Sequence, residues 1–374
     1  MLRTLFVLLA ASLALLAQPR RVSDEEVAAV HRSALLIDTH NDVTSETVKG
    51  LDIGPRRRAG QTDLPRLREG GVGAVFFAAY VSGSYVQGNR SPRRALEMID
   101  TIRHGIAGRY PKDFALATTA DEILAARRQG KIAALIGIEG GHAIEDNLGL
   151  LRNYYALGVR YMTLTHANSN LWADSSGDSR KPHNGLSAFG RDAVREMNRL
   201  GMMVDVSHVS DKTFRDALEV SRAPLLASHS SCRALSNIPR NMTDEMIVAM
   251  AKKGGVIQIN FGCEFLSQKS ADTSSWTNPA LRNVTPKPQT VRATLADAVA
   301  HIRHVVKIAG IGAVGIGSDY DGVGCVPLGL EDNSKYPNLT RALLEDGFTA
   351  EEIRKIYGEN LIRVMRAAEA AAQP

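Results

Sequence analysis

Cysteine is nearly missing from this sequence: Cys232, Cys263 and Cys325 are the only three in 374 residues. Three thiols cannot build a disulfide framework, so the fold must rest on its apolar core, with room for one bridge and one unpaired thiol. Aromatic residues are also few, at 5%. The positive excess is only +5 and scattered, with Arg56-Arg57-Arg58 the one basic run. Nucleic-acid binders concentrate charge on one face and interleave aromatics. DNA and RNA are therefore excluded as partners, and the arginine run reads as a solvated loop. No Pro/Gly/Ser-rich linker divides the chain, and a composition of 44% hydrophobic and 23% charged residues excludes a disordered chain or a polytopic membrane protein.

What is present begins with residues 1–17, MLRTLFVLLAASLALLA, which hold one arginine, an uncharged apolar run and a small residue before Gln18-Pro19-Arg20. These are the parts of a secretory signal peptide, and the run is short for a spanning helix. A retained anchor is the alternative. The expectation is an exported protein, periplasmic or secreted, with no stable membrane insertion once the leader is removed and with residues 18–374 forming one domain. Arg366-Ala367-Ala368-Glu369-Ala370 lacks the hydrophobic tail that a glycolipid-anchor signal requires.

The rest of the chain repeats one unit: a short apolar run ending in polar residues, an amphipathic stretch, then the next apolar run. That alternation predicts βα units around a parallel sheet. Strands are expected at 34–38, 74–79, 133–138, 161–164, 203–206, 225–227, 256–259 and 314–316, and helices at 92–107, 120–128, 148–156, 189–200, 212–220, 244–252 and 295–308. Gly130, Gly158, Gly201, Gly254 and Gly310 stand where a helix C-terminus favours glycine. Eight such strands fit one α/β fold, a (β/α)8 TIM-type barrel. Two closing helices are expected from Thr349 onward, with Thr349 and the following Glu351-Glu352 as an N-terminal cap. Ser267–Pro288 reads as a long loop over one face.

The chemistry-bearing residues follow the strand cores. In a parallel barrel the C-terminal strand ends converge on one mouth, so residues distant in sequence become neighbours. The first strand ends in His40-Asn41-Asp42, where alternation puts the imidazole and the carboxylate on one side. The others supply Glu139-Gly140-Gly141, Thr165-His166, Ser207-His208, His229 followed by Arg233, and Asp319-Tyr320-Asp321. Each motif alone is weak, and a strand-end histidine is more often structural. Six of the eight expected strands nevertheless end in a potential ligand or acid. Imidazole and carboxylate without thiolate suit zinc or another divalent first-row metal. His40, Asp42, Glu139, His208 and His229 exceed what one catalytic zinc takes from protein, and Glu139 has two oxygens that can bridge a pair. Two ions about 3.5–4 Å apart lower the pKa of a shared water, so the implied reaction is hydrolysis by a bridging hydroxide. One metal is the alternative.

These residues give the chain a resemblance to the membrane dipeptidases (renal dipeptidase, peptidase family M19) of the metal-dependent amidohydrolases, nearer their bacterial members. It runs from about Ile37 to Val364 and rests on Ile37-Asp38-Thr39-His40-Asn41-Asp42, Gly137-Ile138-Glu139-Gly140-Gly141-His142, Tyr161-Met162-Thr163-Leu164-Thr165-His166, Val206-Ser207-His208-Val209-Ser210-Asp211, Ser228-His229-Ser230-Ser231 with Arg233, Gly315-Ile316-Gly317-Ser318-Asp319-Tyr320-Asp321-Gly322, and the closing Gly358-Glu359-Asn360-Leu361-Ile362-Arg363-Val364. The resemblance implies two Zn2+ per subunit: one held by His40 and Asp42, one by His208 and His229, with Glu139 bridging. It implies dipeptide substrates, sometimes with a D-residue at the second position, activity on carbapenem-type β-lactams in some members, and a homodimer. Substrate roles fall to His166, Arg233 and Asp319. Arg233 offers a fork of donors for the C-terminal carboxylate, His166 a donor to the scissile carbonyl oxygen, and Asp319 a proton carrier to the leaving amine. Whether Asp319 also touches a metal is left open, and side-chain choice is expected to rest with the loops Tyr80–Asn89 and Ser267–Pro288. The rival enzyme reading is an amidohydrolase acting on cyclic amides, lactones or phosphoesters. A metal-containing scaffold would need a missing ligand or acid, and none is missing.

Other residues are set aside. His142 reads as packing, His301 and His304 as surface residues of an outer helix, and His183 as a loop residue. Cys232 reads as pocket lining rather than a nucleophile. Asp38, Asp205 and Asp321 are expected to steady the imidazoles by hydrogen bonds, and Asn41 to point away from them.

Overall fold

The computed structural model describes residues 20–285 and 289–373; the expected leader lies outside them. Eight parallel strands run in the order β1 (Leu36–Asn41), β2 (Val72–Tyr80), β4 (Ile132–Glu139), β5 (Val159–Thr163), β6 (Met203–Asp205), β7 (Leu226–Ser230), β8 (Val256–Ile259) and β9 (Val314–Ile316). A short strand that the sequence did not reveal, β3 (Phe114–Leu116), pairs with the outer part of β4. The barrel closes between its first and last strands, where Asp319 N–H donates to His40 O at 3.0 Å and Asp42 N–H to Tyr320 O at 2.9 Å. The fold is the expected (β/α)8 barrel.

Alternation along the strands sorts side chains into two layers. Val75, Phe77 and Ala79 of β2 and Ala134, Ile136 and Ile138 of β4 join the layer under the helices, whereas Ala74, Phe76, Ala133 and Leu135 fill the barrel interior with Ile37, Tyr161, Met203, Leu226 and Val256. Each large side chain so buried contributes about 1.5–3 kcal/mol.

The helices Ala120–Arg128, Leu148–Ala156 and Asp244–Lys252 have the expected bounds. All five glycines placed beyond helix ends carry positive φ, between 68° and 103°. The stretch expected as one helix over 92–107 is an α-helix, Ser91–Asp100, that widens into a π-helical segment, Thr101–Ala107. Thr349 caps the closing segment through a capping box with Glu352. Instead of two separate helices, that segment is Ala350–Arg354 and Asn360–Ala370 joined through a π-turn, Lys355–Glu359. Its Leu361, Val364 and Met365 plug the interior at the end opposite the mouth. The long loop after β8 is partly ordered into Gln268–Thr273 and Pro279–Leu281. No helix among the described residues is long and apolar enough to cross a membrane.

One disulfide, Cys263–Cys325, joins the segment after β8 to the loop after β9, and Cys232 remains a buried thiol. Arg57, expected in solvent, is largely covered and pairs with Asp321 at 3.1 Å.

Candidate metal centre and active site

Every imidazole and carboxylate singled out at the strand ends, His40, Asp42, Glu139, His166, His208, His229 and Asp319, reaches the C-terminal mouth. His40 and His229 are themselves strand residues, Glu139 is the last of β4, and the other four sit one to three positions beyond their strands. His208 and Asp319 hold positive φ, 68° and 61°, a left-handed conformation that costs a non-glycine residue about 1–3 kcal/mol. In both cases the bend follows a strand end and turns the side chain back over the barrel. Gly322 permits the close approach of Asp42 and Asp319, because a Cβ there would collide with both carboxylates.

Three groups of side chains have donor atoms close enough to share a cation: His40, Glu139 and His229; Glu139, His166 and His208; and His40, Asp42 and Asp319. Glu139 lies between them. Its Oε2 is 3.6 Å from His40 Nε2, while its Oε1 is 2.9 Å from His208 Nε2, 3.3 Å from His229 Nε2 and 3.7 Å from His166 Nε2. His40 Nε2 also lies 3.2 Å from Asp42 Oδ2. The two ring nitrogens of His208 and His229 approach to 3.0 Å. Such convergence of lone pairs suits a cation.

The tautomers agree. The Tyr161 hydroxyl donates to Thr39 O at 3.1 Å and so takes the Nδ1 proton of His40 at 2.8 Å. The Ser228 hydroxyl donates to Asp205 Oδ2 at 2.6 Å and takes the Nδ1 proton of His229 at 2.8 Å. Both rings therefore present bare Nε2 atoms to the centre. His40 Nε2 is buried without a hydrogen-bond partner among the described residues, a costly state for a nitrogen that binds nothing. The residues fit a metal.

Electrostatics follow from burial and crowding. Burial lowers His208 and His229 well below the ordinary imidazole range. Burial opposes charge on His40 as well, but Tyr161, Asp42 and Glu139 outweigh it and raise the group. Burial would raise Glu139, yet His40 and His166 hold it well below the carboxylate range. Asp319 goes the other way, pushed up by burial and then by Asp42. Its Oδ2 accepts a 2.7 Å hydrogen bond from the amide of buried Asn260, just beyond β8.

A cavity of about 1330 Å³ opens over this centre. His166, with 22% of its side chain exposed, is the most open of the candidate histidine ligands and rests on Tyr80 at 4.8 Å between centroids. The expectation for Arg233 is corrected. Its fork is taken by Asp211, at 2.7 and 2.8 Å, and its Nε by Asn241 O, and it does not line the cavity. Arg240, further along the same loop, does. Only its Nη2 is used, donating to His229 O at 3.2 Å, while Nε and Nη1 are buried without partners among the described residues. Burial lowers its pKa to about 10. Cys232 is also corrected: it lies behind the cavity wall, its amide donating to His301 Nδ1 at 3.0 Å.

His301 is fully buried rather than on the surface. Asp205 steadies His229 through Ser228, and Asp38 accepts from the His40 amide at 3.3 Å, whereas Asp321 is spent on Arg57 and Gln61. Asn41 points away, to Thr62 and Val43. His142 packs, donating to Val81 O at 2.9 Å, and His183 bonds Asn170 O. Tyr161, Asn260, Ser228 and Arg240 were missed. Tyr161 stands in a quoted motif but reads as an apolar strand residue, and only its burial facing Gly137, which has no side chain to obstruct the ring, makes it a partner of His40.

Comparison with known proteins agrees. The model of the membrane dipeptidases (peptidase family M19) matches residues 24–374. An uncharacterized dipeptidase of Schizosaccharomyces pombe is 37% identical over 377 residues, covering 96% of this chain and 86% of that protein. Among solved structures, a probable dipeptidase, PvdM, of Pseudomonas aeruginosa superposes with a TM-score of 0.82 at 25% identity, over 93% of this chain and 98% of that one. A metallo peptidase of Rhodobacter sphaeroides, liganded with a phosphinate mimic of L-Ala-D-Ala, does so with a TM-score of 0.77 at 25% identity, over 90% and 99%. With its barrel, its convergent imidazoles and these relatives, the chain belongs to the membrane dipeptidase family, peptidase family M19, and is a metallo-dipeptidase.

Proposed function

We propose that the protein is an exported binuclear zinc dipeptidase that also accepts a D-residue at the C-terminal position. The observation that carries the metal count is the splitting of Glu139, whose two oxygens face different imidazoles, His40 on one side and His208 with His229 on the other. His40 and Asp42 would hold one ion and His208 and His229 the other. The nitrogen and oxygen donor set suits zinc. Bound ions would lower the pKa of a water and polarise the scissile carbonyl.

The chain's own residues supply the rest. Arg240, which lines the cavity and keeps two buried donors without partners among the described residues, takes the C-terminal carboxylate in the role expected of Arg233. His166, at the open edge, donates to the carbonyl oxygen as charge builds there. Asp319, steadied by Asn260, carries a proton to the leaving amine. An arginine committed to one terminus makes short peptides the substrates. The L-Ala-D-Ala mimic on the Rhodobacter sphaeroides relative supports tolerance of a D-residue, and the Cys263–Cys325 bridge supports an oxidising compartment. Metal analysis of the purified protein, with L,L- and L,D-dipeptides and their C-terminal amides, tests the proposal. Two zinc equivalents, cleavage of the free dipeptides and poor cleavage of the amides are expected. One equivalent per chain, or equal rates on the amides, overturns it.

A further inference from the structure

The cavity over the metal centre exceeds the usual size of a small-molecule site, about 300–1,000 Å³, and one side of it is apolar. Ile238, Phe265 and Ala271 form a small cluster separate from the two large cores, with Val323 packed against it. Trp276, from the loop after β8, lays its indole on Phe265 at 5.7 Å between centroids and 23° between planes, and remains 53% exposed. Ile238, Phe265, Trp276 and Val323 all line the cavity. Their backbones come from three different loops, and the Cys263–Cys325 bridge staples two of them: Phe265 lies two residues from one half-cystine and Val323 two from the other.

The position of this wall decides what it touches. The Arg240 guanidinium lies over the Phe265 ring, 5.1 Å from its centroid. Beside the same ring, a Cβ on Gly262 would meet Phe265, Val323 and the Asn260 amide oxygen, and Asn260 holds Asp319. The apolar surface thus borders both the arginine and the partner of the proton carrier. Resting on the dipeptidase reading above, with Arg240 on the substrate carboxylate, we infer that the side chain of the C-terminal residue lies on the Phe265–Trp276 wall and that the enzyme selects dipeptides with a bulky apolar or aromatic C-terminal residue. The carboxylate and this side chain leave the same Cα, so an anchor at Arg240 sets the side chain against the ring beneath it. Trp276, 53% exposed, leaves apolar surface that a ligand can cover. Burial of each additional methylene there favours the larger substrate.

The test is steady-state kinetics on the metal-loaded enzyme with L-Ala-L-Ala, L-Ala-L-Leu and L-Ala-L-Phe and the reversed peptides L-Leu-L-Ala and L-Phe-L-Ala. The wild-type kcat/KM for L-Ala-L-Phe is expected to exceed that for L-Ala-L-Ala by about tenfold or more. Trp276→Ala and Phe265→Leu should each collapse that ratio, mainly through KM, while the ratio of L-Phe-L-Ala to L-Ala-L-Ala moves less than about twofold. Trp276→Ala removes a half-exposed side chain, which protects the test from a folding defect. Cleavage without dependence on the C-terminal side chain, or equal losses on the forward and reversed peptides, overturns the wall and leaves the dipeptidase reading standing. Cleavage of none of the five, nor of the L,D-dipeptides above, overturns both.

Discussion

The Tyr161 hydroxyl and the His40 imidazole form a fixed pair inside the barrel, with 2.8 Å between Tyr161 Oη and His40 Nδ1. Because the same hydroxyl donates to Thr39 O, the ring proton of His40 is locked on Nδ1 and Nε2 is left bare. Tyr161→Phe removes that lock with almost no change in volume. Affinity for the metal is expected to fall about 10- to 100-fold, the usual effect of losing the partner of a ligating histidine. Competition against a calibrated chelator measures it, and affinity equal to wild type would show that the ring is held by packing alone.

Two arginines of one loop differ in placement, Arg240 lining the cavity and Arg233 held by Asp211. Arg240→Ala should raise KM for dipeptides about 30-fold or more, the effect of removing one partner of a buried charge pair, with metal content preserved. Arg233→Ala should leave KM near wild type and cost about 1 kcal/mol or less in stability, since its partner Asp211 is partly exposed. The reverse pattern would return the clamp to Arg233.

Asp319 and Glu139 are distinguished by what they take with them. Asp319→Asn is expected to keep the wild-type metal content and lose turnover by about 10²- to 10⁴-fold, as for removal of a general acid–base group. Glu139→Ala should lose metal and activity together. Elemental analysis beside kcat checks both, and two ions retained in Glu139→Ala would refute the bridge.

His301 links acidity to stability. Its Nδ1 accepts from the Cys232 amide and its Nε2–H donates to Leu266 O, so a second ring proton has no acceptor. Burial lowers its pKa from 6.5 to about 4. The unfolded chain then binds the proton first as pH falls, so this contribution to stability is whole above pH 6.5, declines below it and is gone beneath about pH 4. The loss amounts to about 3 kcal/mol. Urea titrations of wild type and His301→Gln between pH 7 and pH 4 should show a shallower decline in the variant; parallel curves would assign the acid sensitivity elsewhere.

His301 also shows where sequence reading stopped short. It lies three residues after Ala298 and four before Val305 on Leu295–Ala309, and all three are buried. The apolar stripe was there to be read, but its width on an outer helix depends on what packs over it, here Leu266 and Cys232. The N-terminal helix Asp24–Ser33, where the Ser23 hydroxyl accepts from the Glu26 amide, is not among the expected elements. The convergence of the candidate ligands at the strand ends was legible because strand period and barrel topology alone bring them together. Arg233 and Arg240 were not separable that way, since a loop's path is set by contacts such as Arg233 with Asp211, whose partners come from distant parts of the chain. Tyr161 and Asn260 were hidden for the same reason: nothing local distinguishes a strand tyrosine or a loop asparagine that faces the mouth.

The seam where β1 meets β9 carries His40 and Asp42 on one side and Asp319 on the other. Ribosomes deliver these three residues nearly at opposite ends of synthesis. The nascent polypeptide therefore emerges with two of its candidate ligands long before the acid that faces them, and the mouth is complete only when the last strand docks. The order of synthesis makes the meeting of Asp319 with His40 and Asp42 the last pairing of the mouth to become available.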